Sequence, residues 1–346
     1  MYSFIRALLF TQDPEKVHLQ VMNNLQKWYQ KNPNHLFLKN FKNYSKYLSI
    51  KKMGITFANP IGLAAGFDKN AEWLTFLEKL GFGFIEVGSV TAKPCQGNPQ
   101  PRLFRLPKDK ALLNRMGLNN EGADIIAEKL KNRKTQIPIG VNIAKTNDPN
   151  IYDQNAISDI LYSYNKLAPV ADYITLNISC PNTIEKKTFE EPGSLNELLG
   201  EITSARNQLF KSIPILIKLS PVNVPSMIDP LIEVALNHSI DGVVIANTVN
   251  NLPKLKTSTN ILKKIGSGGL SGKPLQKLVD PMIKHIRKLS STLNIIGTGG
   301  IDSTSDIKLK MQKGADLVQM YTGFVYQGPF AINRMLKDLS FNSNLS

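Results

Sequence analysis

The chain has 346 residues, of which 42% are hydrophobic, so it can bury a large core and an intrinsically disordered protein is excluded. No apolar run is long enough to span a bilayer, and two cysteines, Cys95 and Cys180, are too few for a disulfide framework, so both are expected to be free thiols. The formal net charge of +15 favours an anionic ligand, an anionic membrane surface or nucleic acid as a partner.

Residues 1–52 differ from the rest of the chain because they carry nine basic and only two acidic residues. The segment 2–10 is apolar on most sides, and Asp13 followed by Pro14 predicts the start of a helix. One face of that helix is apolar at helical spacing, and His18 lies within it. Its apolar members are Val17, Val21, Met22, Leu25, Trp28 and Tyr29. We predict an N-terminal helical cap over residues 1–52 that suits an anionic membrane interface. A cap packed only against the rest of the protein is the alternative.

The remaining chain, residues 53–346, alternates short β-branched runs with helical patterns. The predicted strands are Ile61–Ala65, Phe84–Val87, Ile137–Val141, Tyr173–Asn177, Ile215–Leu219, Gly242–Ala246, Asn294–Gly297 and Leu317–Met320. The predicted helices between them are Ala71–Leu80, Glu121–Asn132, Asp153–Ala168, Ser194–Lys211, Met227–Asn237, Leu275–Leu289 and Ser303–Lys313.

Eight strands alternating with helices predict an α/β fold of the (β/α)8 TIM barrel type, in which reactive groups gather at the carboxyl ends of the strands. An open doubly wound sheet is the alternative. No Gly-x-Gly-x-x-Gly motif opens a helix after the first strand, so a dinucleotide-binding fold has little support.

Every predicted strand ends in residues that suit a binding rim. They are Asp68, Lys69, Ser89, Asn142, Asn177, Lys218, Asn247, Thr248, Gly299, Gly300, Tyr321 and Thr322. The glycines after the seventh strand and the turn after the eighth predict a phosphate site, because exposed backbone N–H groups there can approach phosphate oxygens. We therefore expect a phosphorylated cofactor; an ordinary turn is the alternative for the glycine pair.

Lys69 and Lys218 each follow or end a buried strand, where an ammonium group is costly unless it faces an anion. For Lys218, a carboxylate partner in the barrel mouth is the alternative. Asparagines on the same rim offer donors and an acceptor without charge, which suits the amide edge of a pyrimidine or a flavin. They are Asn114, Asn142, Asn177, Asn182 and Asn247.

Cys180 lies between Ser179 and Pro181 in a polar loop after the fourth strand. A thiol with an ordinary pKa of about 8.5 is a candidate nucleophile or base, and a buried inert thiol is the alternative. Cys95 has no comparable surroundings and is expected to be inert. No metal site is expected.

Six segments, in order along nearly the whole chain, resemble the dihydroorotate dehydrogenase family and its membrane-associated, quinone-reducing branch, class 2. The segments are Gly62–Asn70, Pro101–Arg105, Asn114–Gly117, Asn177–Thr183, Ser267–Gly272 and Ile296–Ile301.

The resemblance implies FMN as cofactor and the oxidation of dihydroorotate to orotate in pyrimidine synthesis. The implied FMN contacts are Ala65, Gly66, Phe67, Asp68, Lys69, Ser89, Asn142, Asn177, Lys218, Thr248, Gly272, Gly299, Gly300, Tyr321 and Thr322. The implied substrate contacts are Lys69, Asn114, Arg115, Met116, Gly117, Leu118, Asn177, Asn182, Asn247 and Thr248. In the implied mechanism, Cys180 removes a proton from C5 of dihydroorotate while hydride leaves C6 for the flavin.

One residue departs from the branch pattern. The base of the quinone branch is typically Ser, whereas Cys is typical of soluble branches that reduce fumarate or NAD. The soluble branches lack a cap like residues 1–52, so we favour the quinone branch and keep a fumarate- or NAD-linked enzyme as the alternative. The resemblance implies quinone contacts at His18 and Arg102, and simple packing is the alternative for His18.

The charge distribution also bears on partners and location. A nucleic-acid-binding protein would need a basic stripe with interleaved aromatic residues, and none is evident outside the cap, so no nucleic-acid partner is expected. The resemblance and the basic, apolar cap together predict a peripheral protein on the cytoplasmic side of a bacterial cell membrane, with a membrane quinone as partner.

Overall fold

A computed structural model describes residues 2–33, 35, 45–179, 189–210, 212–221, 225–251 and 254–343 of the chain. The strands are β1 (Ile50–Lys52), β2 (Ile55–Phe57), β3 (Ile61–Leu63), β4 (Phe84–Val90), β5 (Leu103–Leu106), β6 (Ala111–Asn114), β7 (Ile139–Ile143), β8 (Tyr173–Asn177), β9 (Ile215–Leu219), β10 (Gly242–Ile245), β11 (Gly269–Gly272), β12 (Asn294–Thr298) and β13 (Leu317–Met320). The helices are α1 (Tyr2–Leu9), α2 (Pro14–Lys31), α3 (Ser45–Leu48), α4 (Leu74–Lys79), α5 (Ala123–Lys131), α6 (Asp153–Leu167), α7 (Pro192–Asn207), α8 (Asp229–Asn237), α9 (Thr259–Ile265), α10 (Gln276–Leu289), α11 (Thr304–Gln312), α12 (Thr322–Gln327) and α13 (Ala331–Ser343).

Eight strands close into a barrel in the order β3-β4-β7-β8-β9-β10-β12-β13, and every neighbouring pair is parallel. These are the eight strands that the sequence predicts, so the TIM-barrel prediction is confirmed. Some boundaries differ. The third barrel strand begins after Pro138, which has no N–H to donate to a neighbour. The first barrel helix begins only at Leu74, after a turn held by Asp68.

Alternate side chains of the strands point into the barrel. The inward ring of Phe84 would lie 2.3 Å from a Cβ at Gly62, and the ring of Tyr173 would lie 2.0 Å from one at Gly140. Glycine at these two positions therefore makes room for large aromatic rings in the lowest layer. The hairpin of β1 and β2 covers this end, because Phe57 is fully buried, packs edge-on against Phe84 and belongs to the same buried cluster as Tyr173.

A second sheet was missing from the sequence prediction. Strands β5, β6 and β11 form an antiparallel sheet in which Asn114 pairs with both Leu103 and Gly269. These strands are only four residues long and lie in connections between barrel elements, so their periodicity is too short to distinguish them from loops.

The N-terminal segment forms the two predicted helices. Asp13 caps α2 by accepting a hydrogen bond from the Lys16 N–H at 2.9 Å. The Arg6 guanidinium donates to the Tyr326 carbonyl at 2.7 Å and so ties α1 to α12, while Phe4 remains 83% exposed. Within the described part of the chain, no helix combines the length and hydropathy that crossing a bilayer requires.

Candidate active site

A cavity of about 1160 Å³, counted with the space at its open mouth, lies at the carboxyl ends of the barrel strands. The predicted cofactor residues that line it are Ala65, Gly66, Lys69, Ser89, Asn177, Lys218, Thr248, Gly272, Gly299, Gly300, Tyr321 and Thr322. The further predicted substrate residues that line it are Asn114, Met116, Gly117, Leu118 and Asn247. Residues distant in the sequence therefore meet in one cavity, because parallel strands of a barrel all end at the same rim.

Amide and hydroxyl side chains in this cavity form a continuous hydrogen-bonded chain. The Asn247 amide donates to Asn177 Oδ1 at 3.1 Å, and the Asn177 amide donates to Ser89 Oγ at 3.0 Å. The Ser89 hydroxyl donates to Asn142, which lies below the cavity wall in β7. Asn247 also donates to the backbone carbonyl of Ser179 at 3.2 Å. These mutual bonds fix the side-chain rotamers around the cavity floor.

Lys69 brings a positive charge into the cavity. Burial lowers the pKa of its ammonium group to about 8, and the nearby Glu15 carboxylate partly offsets that effect. Among the described residues, no carboxylate lies within ion-pairing distance of this ammonium group. A desolvated cation without a partner favours an anionic ligand. Lys218 is also buried and lines the same cavity from β9.

Asp68 holds the turn that presents Lys69. Its carboxylate accepts the backbone N–H groups of Glu72 and Trp73, each at 2.8 Å. Burial raises the pKa of Asp68 to about 6, and the two backbone hydrogen bonds oppose that rise. Asp68 therefore shapes the loop from beneath and does not line the cavity.

The chemistry of the cavity fits a flavin phosphate. Gly299 and Gly300 have positive φ angles of 89° and 82°, and they line the cavity together with Thr322 at the start of α12. Backbone N–H groups at this position suit phosphate oxygens. Uncharged amides and two lysines line the same cavity, which suits the polar edge of a flavin ring.

Sequence comparisons match this chain to known proteins over almost its whole length. A sequence profile of the dihydroorotate dehydrogenase family matches residues 47–342. The dihydroorotate dehydrogenase (quinone) of Idiomarina loihiensis is 41% identical and covers 98% of this chain and 100% of its own length. That of Gloeobacter violaceus is 39% identical and covers 98% of this chain and 94% of its own length. This chain belongs to the dihydroorotate dehydrogenase family.

Solved structures of the family have the same fold. A crystal structure of DHODH from Eimeria tenella in complex with ferulenol superposes with a TM-score of 0.83 at 31% identity. The match covers 96% of this chain and 93% of that chain. The family profile leaves residues 1–46 unmatched, whereas the relatives named as quinone enzymes extend over almost the entire chain. The resemblance to the quinone branch of dihydroorotate dehydrogenases is thus confirmed, and the family depends on a flavin.

Some residues predicted to contact ligands do not line the cavity. The Arg115 guanidinium turns away, donates to the carbonyls of Ile265 and Ser267 at 2.7 and 2.8 Å, and stacks over Phe104. Only its neighbours in the stretch 114–118 reach the cavity. Phe67, Asp68 and Asn142 lie behind the wall. Cys180 and Asn182 lie outside the described residues.

His18 and Arg102 join the cap to this dehydrogenase barrel. His18 Nε2 lies 2.9 Å from the Phe67 carbonyl, and burial, followed by the charge of Lys69, lowers the His18 pKa to about 4. His18 is therefore neutral near pH 7, and its Nε2 must carry the proton because a carbonyl only accepts. Arg102 makes a buried ion pair with Glu15, with Nη2 and Oε1 separated by 2.7 Å.

Several cavity residues were missed by the sequence analysis. Leu103, Leu112 and Ser271 come from the short antiparallel sheet that was not predicted. Gln319, which also lines the cavity, and Glu86, which lies beneath it, are inside predicted barrel strands and are fully buried. A charged residue within an otherwise apolar strand was an available signal, because such a group must find hydrogen-bond partners in the core.

Proposed function

We propose that this chain oxidises (S)-dihydroorotate to orotate with FMN as cofactor and passes the electrons to a quinone, in the synthesis of UMP. The observation that carries this proposal is the full-length likeness to quinone-dependent dihydroorotate dehydrogenases, including the N-terminal segment outside the family profile. We place the protein on the cytoplasmic side of a bacterial cell membrane as a peripheral protein.

FMN would occupy the cavity with its phosphate at Gly299, Gly300 and Thr322 and its ring near Ser89 and Lys218. When bound, FMN supplies a hydride acceptor and a carrier of two electrons. The Lys218 ammonium, buried beside the cavity, would favour negative charge on the ring. All these residues line one cavity, which is the structural support for the assignment.

Dihydroorotate would lie between the flavin and the loop 114–118. The buried ammonium group of Lys69 would bind its carboxylate, and Asn114, Asn177 and Asn247 would bind its ring amides. These contacts orient C5 and C6 of the substrate without covalent attachment, so positioning supplies a large share of catalysis. Cys180 would accept the C5 proton, and Asn182 in the same loop would contact the substrate.

The cap would provide the quinone site. His18 and Arg102 both lie where α2 meets the loops of the barrel mouth. The Nε2 proton of His18 is committed to the Phe67 carbonyl, so this ring would present Nδ1 as an acceptor to a bound ligand. We therefore assign His18 to shaping the quinone passage and holding the Phe67 loop.

The deciding experiment uses the purified full-length protein. We expect a flavin absorbance spectrum that dihydroorotate bleaches without oxygen and that a soluble quinone restores. Fumarate is the matched comparison, because Cys180 is typical of the soluble branches. Robust turnover with fumarate and none with quinone would reject the quinone assignment, and a protein that cannot be loaded with FMN would reject the whole proposal.

Cys180 provides a separate test of the base. A thiol ionises near pH 8.5, far below a hydroxyl, so flavin reduction should saturate at lower pH in the parent than in Cys180→Ser. Stopped-flow reduction by dihydroorotate across pH measures this difference. Cys180→Ala should slow reduction by at least about 100-fold while flavin reoxidation by quinone stays near the parent rate. Identical pH profiles of parent and Cys180→Ser would contradict the role of the thiol.

A further inference from the structure

Glu86 lies at the centre of the barrel, one layer below the cavity, and is fully buried. Its Oε2 accepts hydrogen bonds from Gln319 Nε2 at 2.8 Å, Thr175 Oγ1 at 3.2 Å and the Tyr173 hydroxyl at 3.3 Å. Its Oε1 accepts from Asn142 Nδ2 at 2.9 Å. Within the described residues, no Lys, Arg or His forms an ion pair with Glu86. Four uncharged donors thus hold this carboxylate.

A carboxylate accepts hydrogen bonds and donates none, so it dictates the orientation of its neighbours. The Asn142 amide must turn its NH2 group to Glu86, which leaves its carbonyl oxygen to accept the Ser89 hydroxyl proton. Ser89 Oγ then accepts from the Asn177 amide. Asn177 Oδ1 in turn accepts from the Asn247 amide. Every bond between Asn247 and Glu86 therefore donates in the same direction.

This common direction decides what the cavity offers to a ligand. Among the described residues, Asn177 uses its carbonyl oxygen and one N–H within this hydrogen-bonded chain, so its second N–H is the group left for the cavity. Ser89 gives its proton to Asn142, so it presents only a lone pair. The Ser179 backbone carbonyl holds the Asn247 amide independently, so an Asn142 amide turned the other way would leave Ser89 Oγ accepting from both Asn142 and Asn177, with its hydroxyl proton pointing at the cavity. A flavin or pyrimidine edge alternates donors and acceptors, so a donor at Ser89 in place of the lone pair would no longer match the group of the ligand that it faces.

We propose that Glu86 is a positioning residue that fixes the orientation of the Asn142 amide, and thereby keeps the Ser89 hydroxyl proton on Asn142 and a Ser89 lone pair facing the ligands. This inference rests on the proposed function for the identity of those ligands. Glu86 acts through Asn142 and touches neither substrate nor cofactor.

Glu86→Gln tests the proposal in the FMN-loaded, full-length protein. The substitution keeps the size of the side chain but supplies an NH2 group, so the direction at Asn142 is no longer dictated. We expect orotate, titrated against the flavin absorbance, to bind at least about tenfold more weakly, because the donors and acceptors that line the cavity would no longer match the ligands. We also expect a shifted flavin spectrum and faster loss of FMN during desalting.

A double variant separates direction from packing. In the double variant Glu86→Gln with Asn142→Asp, the carboxylate is at position 142 instead of position 86. A carboxylate only accepts hydrogen bonds, so Ser89 must still donate its proton to residue 142. We expect orotate affinity to recover to within about threefold of the parent. Asn142→Asp alone should not bind orotate well, because it sets two carboxylates side by side. Thermal melting of each variant reports whether the barrel remains folded.

Tyr173→Phe is the matched control. It removes one donor to the same carboxylate but leaves the Asn142 bond in place. We expect orotate affinity within about threefold of the parent. The proposal would be overturned by Glu86→Gln that retains the parent's orotate affinity and spectrum, or by a double variant no better than Glu86→Gln. Failure of the parent flavin to respond to dihydroorotate would instead reject the proposed function, so the two failures are distinguishable.

Discussion

At the scale of single residues, the cavity and its supporting loop depend on Lys69 and Asp68, whose charged forms are destabilised by burial. Lys69 has a lowered pKa because it is desolvated, and Asp68 beside it has a raised pKa for the same reason. Between about pH 8 and 10.5, Lys69 is less protonated in the folded protein than in the unfolded chain. Lys69 therefore lowers the free energy of unfolding most below pH 8, and this destabilisation decreases as the pH rises toward 10.5. Such a cost is typical of a functional position.

The lowered pKa of Lys69 predicts the pH dependence of ligand binding. Orotate affinity should be constant below about pH 8 and fall about tenfold per pH unit above it, because the neutral amine no longer attracts a carboxylate. Titration of the flavin absorbance with orotate across pH measures this. Lys69→Arg is the matched control, because guanidinium stays charged over the whole range. An equal fall in parent and Lys69→Arg would place the titrating group elsewhere.

At the scale of elements, one buried ion pair fastens α2 to the barrel. Arg102 uses Nε and Nη2 on Glu15, and its Nη1 donates to the carbonyls of Gln96 and Asn98, each at 2.8 Å. The guanidinium is therefore held by a carboxylate on one side and by two backbone carbonyls on the other. Arg102 therefore attaches the cap to the barrel through its ion pair with Glu15, and it is also a candidate quinone contact.

Removing the Glu15 carboxylate should weaken the attachment of the cap to the barrel. We expect Glu15→Ala to cost about 3–5 kcal/mol locally, because it leaves a buried guanidinium partly unpaired. Faster hydrogen exchange in α2 and a lower melting temperature measure the effect. Asp124→Ala is the control, since the Asp124–Lys166 pair is exposed to solvent, which screens the attraction, and its loss should barely change stability. Equal losses in the two variants would show that the buried pair has no special role.

At the scale of the whole molecule, charge and apolar exposure coincide at the N-terminus. Phe4 is 83% exposed and Leu8 is 64% exposed, and both lie on α1 within the basic segment 1–52. An apolar helix face beside basic residues is the pattern of proteins that bind an anionic interface. Ile125 on α5 is also exposed, but it lies outside this basic segment.

Charges placed on this face should weaken membrane binding. We expect Phe4→Glu with Leu8→Glu to reduce binding to anionic phospholipid vesicles by at least about tenfold, because burial of two apolar side chains is lost and repulsion is added. Cosedimentation measures binding, and flavin absorbance shows that the barrel is intact. Ile125→Glu is the control and should bind like the parent. Unchanged binding by the double variant would indicate a cap that only packs against the barrel.

The sequence alone determined the barrel, its eight strands, the two cap helices and most cavity residues, because strand periodicity and the polar residues at strand ends are local signals. It also contained the family's motifs. The sequence did not indicate that Arg115 turns away to stack on Phe104, nor that a four-residue strand carries Leu112 into the cavity.

Only the tertiary structure decided how the buried polar groups pair. Glu86, Asn142 and Gln319 lie on three different strands, and closure of the barrel is what places their side chains within hydrogen-bond distance. The same holds for Glu15 and Arg102, which are 87 residues apart along the chain. Local patterns report which face of an element is buried, whereas the partner of a buried charge depends on which elements meet.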